Sequence, residues 1–235
     1  MENETKKKDF LLPASVIVAG VMISGSIIYL VGSKSNTPSP NKNTNPTPEV
    51  ASIGDALKIS SQDVILGDPK APLTLIEYGD YQCPWCGKFS IEVEKPFREQ
   101  YIKTNKANMV YRDFAFLGSE SFAAAEAANC AKSQGKFWAY HDTLYATEHK
   151  DGAENNGNLN RNLFISIAKS LSLNLSEFEK CIDTNQYDEQ IKKEIEAGRL
   201  AGVKGTPALF LNGDQIGGFI DFKTLQADLE TPKAQ

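Results

Sequence analysis

A chain of 235 residues, 41% hydrophobic and 23% charged, is long enough for one or two domains with a real core and too apolar to be mainly disordered. Its formal charge of −5 lacks the basic excess of a sequence-independent nucleic-acid binder, so nucleic acid is not expected as a partner. Four cysteines are too few for a disulfide scaffold of this size.

The first element is apolar. Phe10 to Val31 (FLLPASVIVAGVMISGSIIYLV) is a run of 22 residues without a charge. As a helix it would be about 33 Å long, enough for a hydrocarbon core of roughly 30 Å. Lys6, Lys7 and Lys8 precede it, and the positive-inside rule keeps residues 1–9 in the cytoplasm and exports the chain beyond Val31. A cleaved signal peptide is the rival reading, but its apolar region spans about 7–15 residues and ends in an A-x-A type site, which is not found after this run. The expectation is a single transmembrane anchor at 10–31 in the cell membrane. Residues 32–50, rich in Asn, Thr, Ser and Lys with Pro38, Pro40, Pro46 and Pro48, read as an extended linker.

Residues 51–235 read as the globular part. Leu73 to Tyr78 is a short apolar run after a Gly67-Asp68-Pro69 turn, which predicts a buried strand. Phe89, Val93, Phe97 and Tyr101 recur every four residues on a helical pattern that Pro96 should kink. Asn108 to Phe116 predicts a second strand. Helices are expected over Ser119–Ser133, Lys136–Thr147 and Arg161–Leu171. A capping box at Ser176–Glu179 would open another, and Tyr187, Ile191 and Ile195 continue the pattern up to Gly202. A strand at Pro207–Asn212, a turn at Asn212-Gly213-Asp214, a strand near Gln215–Ile220 and a helix from Asp221 close the chain. The order is that of a mixed α/β fold with a helical insertion at about 118–202. The Asn/Gly-rich stretch from Asp151 to Asn162 lacks the alternating acids of a calcium loop.

The chemistry is concentrated in Cys83-Pro84-Trp85-Cys86. At a helix start, unsatisfied backbone N–H groups and the helix dipole stabilise a thiolate on the first cysteine. Pro84 suits the first helical position, where no N–H partner is lost. Cys83 is then the exposed nucleophile, and Cys86, one turn on, the resolving thiol. Two readings compete: a zinc site, which would need four ligands where Cys130, Cys181, His141 and His149 are scattered, and a purely structural disulfide, which would close too small a loop to contribute much. No metal is expected. Trp138, Tyr140 and His141 lie on one short helix and read as packing.

The segments Leu66–Pro72, Ile76–Cys86, Gln134–His141 and Gly202–Pro207, in this order, resemble the DsbA-like thiol:disulfide oxidoreductases of the thioredoxin fold over residues 60–230. The resemblance implies a cis Pro207 beside the active-site cysteines, with Thr206 offering its backbone to a substrate strand. It also implies that Glu77 is a buried acid passing protons to the resolving cysteine. Burial in a strand should raise the pKa of such a carboxylate, whereas an edge position would leave it in water. Pro84-Trp85 replaces the Pro-His of well-known members, which withdraws a positive charge from beside the thiolate. Trp85 reads either as an exposed aromatic that docks apolar peptide or as a ring folded onto the domain.

Cys130 shares a helical face with Ala123 and Ala127, and Cys181 one with Phe178 and Ile182. They read either as a structural disulfide, contributing about 4 kcal/mol by closing a loop of roughly 50 residues, or as two separate buried thiols. The resulting expectation is an exported, membrane-anchored protein-disulfide oxidase that needs no cofactor beyond the redox-active Cys83–Cys86 pair. Its partners would be exported proteins with cysteines and a membrane redox partner that resets the dithiol. A reductase or isomerase using the same dithiol, or a chaperone-like peptide binder, are the alternatives.

Overall fold

Strand Leu73–Gly79 (β2) lies at the centre of a mixed five-stranded sheet ordered β1-β3-β2-β4-β5. The computed structural model describes residues 53–148 and 153–231. The expected anchor, its cytoplasmic flank and the linker lie outside them, as do His149 and Asp151. Among the described residues no helix is long and apolar enough to cross a membrane.

A short helix, α1 (Ile53–Ala56), and a two-residue strand, β1 (Ile65–Leu66), open the domain; neither was legible as an element in the sequence. β3 (Ala107–Asp113) runs parallel to β2, while β4 (Ala208–Leu211) runs antiparallel to β2 and pairs with β5 (Asp214–Gly217). Asn212 (φ 50°) and Gly213 (φ 91°) turn the β4–β5 hairpin through two left-handed residues, which matches the twist of the strands. β3 stops three residues before the expected end. Beyond Asp113 the chain leaves the ladder because the Asp80 carboxylate accepts hydrogen bonds from the amides of Phe116 and Leu117.

The active-site helix begins as α2 (Pro84–Phe89) and continues through α3 (Lys95–Phe97), with wider i→i+5 turns at Ser90–Glu94 and Arg98–Ile102. Pro96 removes one amide from the ladder, and the wide turns lie on either side of it. They also account for the four-residue spacing. An α-helix of 3.6 residues per turn rotates such a series off its face, whereas wider turns keep Phe89, Val93, Phe97 and Tyr101 together, all buried.

Between β3 and β4 the chain carries α4 (Ser119–Lys132), α5 (Phe137–Glu148), α6 (Arg161–Ser170), α7 (Leu175–Asp183) and α8 (Asp188–Leu200). The expected capping box at Ser176 is not what starts α7. Asn174 caps it, its side chain accepting from the Glu177 amide, because two residues upstream the backbone is still extended (φ −65°, ψ 102°) and orients the amide oxygen at the free N–H. Asp221 caps the last helix, α9 (Phe222–Glu230), through the Thr224 amide.

Alternation along β2 divides the core. Leu75 packs with Phe89, Val93, Met109, Leu209 and Leu225 on the face covered by the active-site helix and α9. Ile76 and Tyr78 pack with Val110, Phe210, Ile191 and Ile195 on the face covered by α8. A third cluster, from α4 to α7, encloses the Cys130–Cys181 disulfide (Cα–Cα 5.8 Å) and reaches Cys83 and Cys86. The fold therefore brings the helical insertion against the dithiol.

Candidate active site

Cys83 caps α2 from an extended backbone (φ −72°, ψ 117°), and Pro84 occupies the first turn. Cys83 N–H donates to the Asp80 carbonyl (3.0 Å), and Asp80 in turn is fixed by the Gln82, Phe116 and Leu117 amides, so the loop from β2 into α2 is held at both ends. The Cys83 thiol is 6% exposed and lies 3.3 Å from the Thr206 carbonyl oxygen. The Thr206–Pro207 bond is cis. Cys86 is wholly buried, and both cysteines are free thiols.

The two thiols differ in acidity because their surroundings differ. A hydrogen bond from Cys86 outweighs the effect of burial on Cys83, and Thr206 with the amides of Cys86 and Trp85 adds to it, lowering the Cys83 thiol to about 6. The Thr206 hydroxyl oxygen is buried without another partner among the described residues. Burial pushes the Cys86 thiol up, and its bond to Cys83 and the charge of Glu77 push it further. A thiolate at Cys83 and a thiol at Cys86 is the arrangement that this produces.

Glu77 lies in β2 between Tyr111 of β3 and Leu209 of β4, so the edge position is excluded and the carboxyl is wholly buried. Burial, then the negative charge of Glu94, raises its pKa well above the carboxylate range. Neither oxygen meets an N–H or O–H donor among the described residues. Beneath Cys86 lie the rings of Tyr81, Tyr111 and Tyr145, with the Tyr111 and Tyr145 hydroxyls 2.9 Å apart and Tyr145 donating to the Asp80 carbonyl at 3.2 Å. Gly79 makes this packing fit: a Cβ there would fall 2.5 Å from the Tyr111 ring.

A buried polar group next to this cluster escaped the sequence reading. Glu94 is wholly buried and accepts from the Arg98 guanidinium at 2.5 Å, and its other oxygen faces His141 Nε2 at 3.4 Å. His141 Nδ1 lies 3.2 Å from the Tyr81 hydroxyl. His141, read as packing, is thus also a polar link between α5 and the active-site helix. The one sequence signal was the i, i+4 spacing of Glu94 and Arg98 inside an apolar helical pattern.

Outside the thiols, Trp85 is 55% exposed yet leans on Phe219 (ring centroids 5.2 Å), with the Lys88 ammonium over both rings. Trp85, Gly205, Thr206, Pro207, Gly218 and Phe219 line an open groove, and the carbonyl oxygen of Thr206 in its wall lies 3.3 Å from Cys83 Sγ. Cys130, Cys181 and Glu126 approach one another closely enough to suggest metal ligands, but the two sulfurs are bonded to each other.

A family model described as Thioredoxin matches residues 60–231. The probable disulfide bond formation protein D of Bacillus anthracis is 27% identical over 184 residues, covering 77% of this chain and 83% of that one. Among solved structures, alpha-DsbA1 of Wolbachia pipientis superposes with a TM-score of 0.68 at 24% identity, covering 76% of this chain and 94% of that one. Oxidised BdbD of Bacillus subtilis superposes at 0.66 with 23% identity, covering 72% and 91%.

Proposed function

The chain belongs to the thioredoxin family and is a DsbA-like protein thiol:disulfide oxidoreductase, and from that premise we propose that it donates disulfides to exported proteins through Cys83 and Cys86. In the oxidised enzyme a substrate thiolate attacks Cys83 Sγ. A substrate–Cys83 bond forms, the Cys83–Cys86 bond breaks, and Cys86 leaves as a thiolate that takes a proton from Glu77. A second substrate thiolate then attacks the substrate sulfur of the mixed disulfide and releases Cys83 as a thiolate. The substrate loses two electrons and the cysteine pair gains them. The pair itself carries the electrons, without an organic cofactor.

The observation that carries this reading is the Cys83 thiol, lowered to about 6 at the start of α2. A thiolate of low pKa is a good leaving group, which favours release of Cys83 from the mixed disulfide and stabilises the reduced enzyme. Thr206 offers its backbone to an extended substrate segment, Pro207 shapes that loop, and Trp85 contributes apolar area beside Pro84. Cys130 and Cys181 are structural.

The apolar run at 10–31 anchors the protein as a single span, residues 1–9 stay in the cytoplasm, and the linker at 32–50 holds the domain at 51–235 outside. There it meets exported cysteine-containing proteins, and a membrane redox partner takes the two electrons from the dithiol.

The deciding experiment equilibrates the protein against glutathione and reads the Cys83–Cys86 couple by thiol trapping. A potential near −120 mV supports the disulfide donor, and one near −270 mV makes the protein a reductase. Retained substrate binding without exchange in the parent protein would turn the assignment to a peptide-binding module.

A further inference from the structure

Two carboxylates, Glu77 and Glu94, are wholly buried on the same side of the sheet, and among the described residues only Glu94 makes an ion pair. Glu94 is met by the Arg98 guanidinium at 2.5 Å and by His141 at 3.4 Å. The other arm of Arg98 donates to the half-exposed Asp142 at 2.7 Å, and the Trp138 ring lies 5.1 Å from the guanidinium. Arg98 is therefore fixed in place. Glu77 has no hydrogen-bond partner among the described residues, and Glu94 reaches the cluster around Cys86 through His141 and Tyr81, where its charge acts on Glu77. The anionic form belongs to the acid with the cation, because a buried charge without a partner is the costlier of the two.

We propose that Glu94 is a positioning residue for disulfide exchange: paired with Arg98, it stays anionic, and its fixed charge beside Glu77 keeps the proton on Glu77, ready for the Cys86 thiolate. The proposal rests on the reading of Glu77 as the proton donor. When Cys86 is released, the proton moves from Glu77 to the Cys86 sulfur and leaves two carboxylates in one buried site. Their repulsion makes Glu77 a strong base for the return step, in which the Cys86 thiol gives the same proton back as its sulfur re-forms a disulfide. The proton thus cycles between Glu77 and Cys86.

The groups facing Glu77 do not replace Glu94 in this role. The active-site helix brings Cys83, Cys86 and Arg98, and β4 brings the apolar Leu209. Tyr81, Tyr111 and Tyr145 are neutral phenols, pushed up by burial. His141 from α5 reaches Glu94 and Tyr81. Glu94 is the strongest source of negative charge acting on Glu77.

The test tracks Glu77 by infrared spectroscopy on the purified full chain, using the protonated-carboxyl band that disappears in Glu77→Gln. In Glu94→Gln this band should titrate away at a pH lower by about 1 or more, and the pH profile of exchange should shift in the same direction. In a Glu77→Gln background, Glu94→Gln should leave that profile unchanged. If Glu94→Gln alone does not fold, Glu94→Gln/Arg98→Met removes both charges together and is read in the same way. An unmoved Glu77 titration overturns the proposal, even with a lower melting temperature. Failure of the underlying reading looks different: Glu77→Gln then exchanges disulfides at the parental rate at every pH, and the step that Glu94 is proposed to serve is gone.

Discussion

The Cys83 thiol sits 3.3 Å from the carbonyl oxygen of Thr206, although 123 residues separate them. This contact places the nucleophile at the junction of two segments: the loop entering α2, and the loop entering β4. An attacking sulfur from a substrate would approach Cys83 beside the Thr206 backbone, so on the proposed reading the reacting site and the peptide-binding site would be one place.

The acidity of Cys83 is directly measurable. The rate at which the reduced enzyme is alkylated by iodoacetamide should rise with pH around a midpoint of about 6, and Cys83→Ser should remove that phase. A midpoint near the free thiol value of about 8.5 would contradict the arrangement. The same shift sets a stability profile. The folded pKa lies below the unfolded one, so this contribution is present above the unfolded value and is lost as pH falls through about 6. At pH 7 it amounts to about 1.4 kcal/mol, to be read as the amount by which the reduced parent gains more stability than Cys83→Ser between pH 5 and pH 7 in chemical denaturation. Above the ordinary thiol range Cys86, with its raised pKa, acts in the opposite sense.

Trp85 should matter for binding more than for folding. Its ring is half exposed, and truncation removes its contacts with Phe219 and Lys88. Trp85→Ala should cost about 1 kcal/mol of stability or less, raise KM severalfold for an unfolded protein substrate and leave kcat nearly unchanged. Steady-state kinetics with a reduced protein substrate separate the two effects.

Removal of the Cys130–Cys181 disulfide tests whether it is structural. The bond spans 51 residues of sequence, and loop-closure entropy puts its contribution at about 4 kcal/mol. The double variant Cys130→Ala/Cys181→Ala should melt at a markedly lower temperature, while the Cys83–Cys86 reduction potential stays where it was. A change in that potential would show that the second disulfide is coupled to the first.

Gly198 tests the seating of α8 on the sheet. A Cβ there would lie 2.8 Å from the Phe114 ring and 3.0 Å from that of Tyr78, both buried. Gly198→Ala should destabilise the domain by about 1–3 kcal/mol despite its better helix propensity, measured by thermal or denaturant unfolding.

Much of the site was legible locally. A cysteine, a proline at the first helical position and a second cysteine one turn on define a nucleophile and its partner through short-range geometry alone. The four-residue series from Phe89 to Tyr101 marked the buried face correctly, while the wide turns that keep it aligned around Pro96 were not readable from it. The start of α7 was misplaced by two residues because Ser176 and Asn174 are both competent caps, and the path of the chain decides between them.

The sequence by itself determined the thiol pair, the order of strands and helices from β2 onward, the apolar faces and the charge-free run near the N-terminus, all of which depend on neighbours within a few turns of chain. Only the tertiary structure decided that Glu77 is buried in the central strand, that Glu94, Arg98 and His141 gather beneath it, that Thr206 meets Cys83, and that Cys130 bonds Cys181. The reason is physical: a carboxyl's proton affinity and a thiol's reactivity depend on desolvation and on charges a few ångströms away, and those neighbours come from segments far apart in the chain.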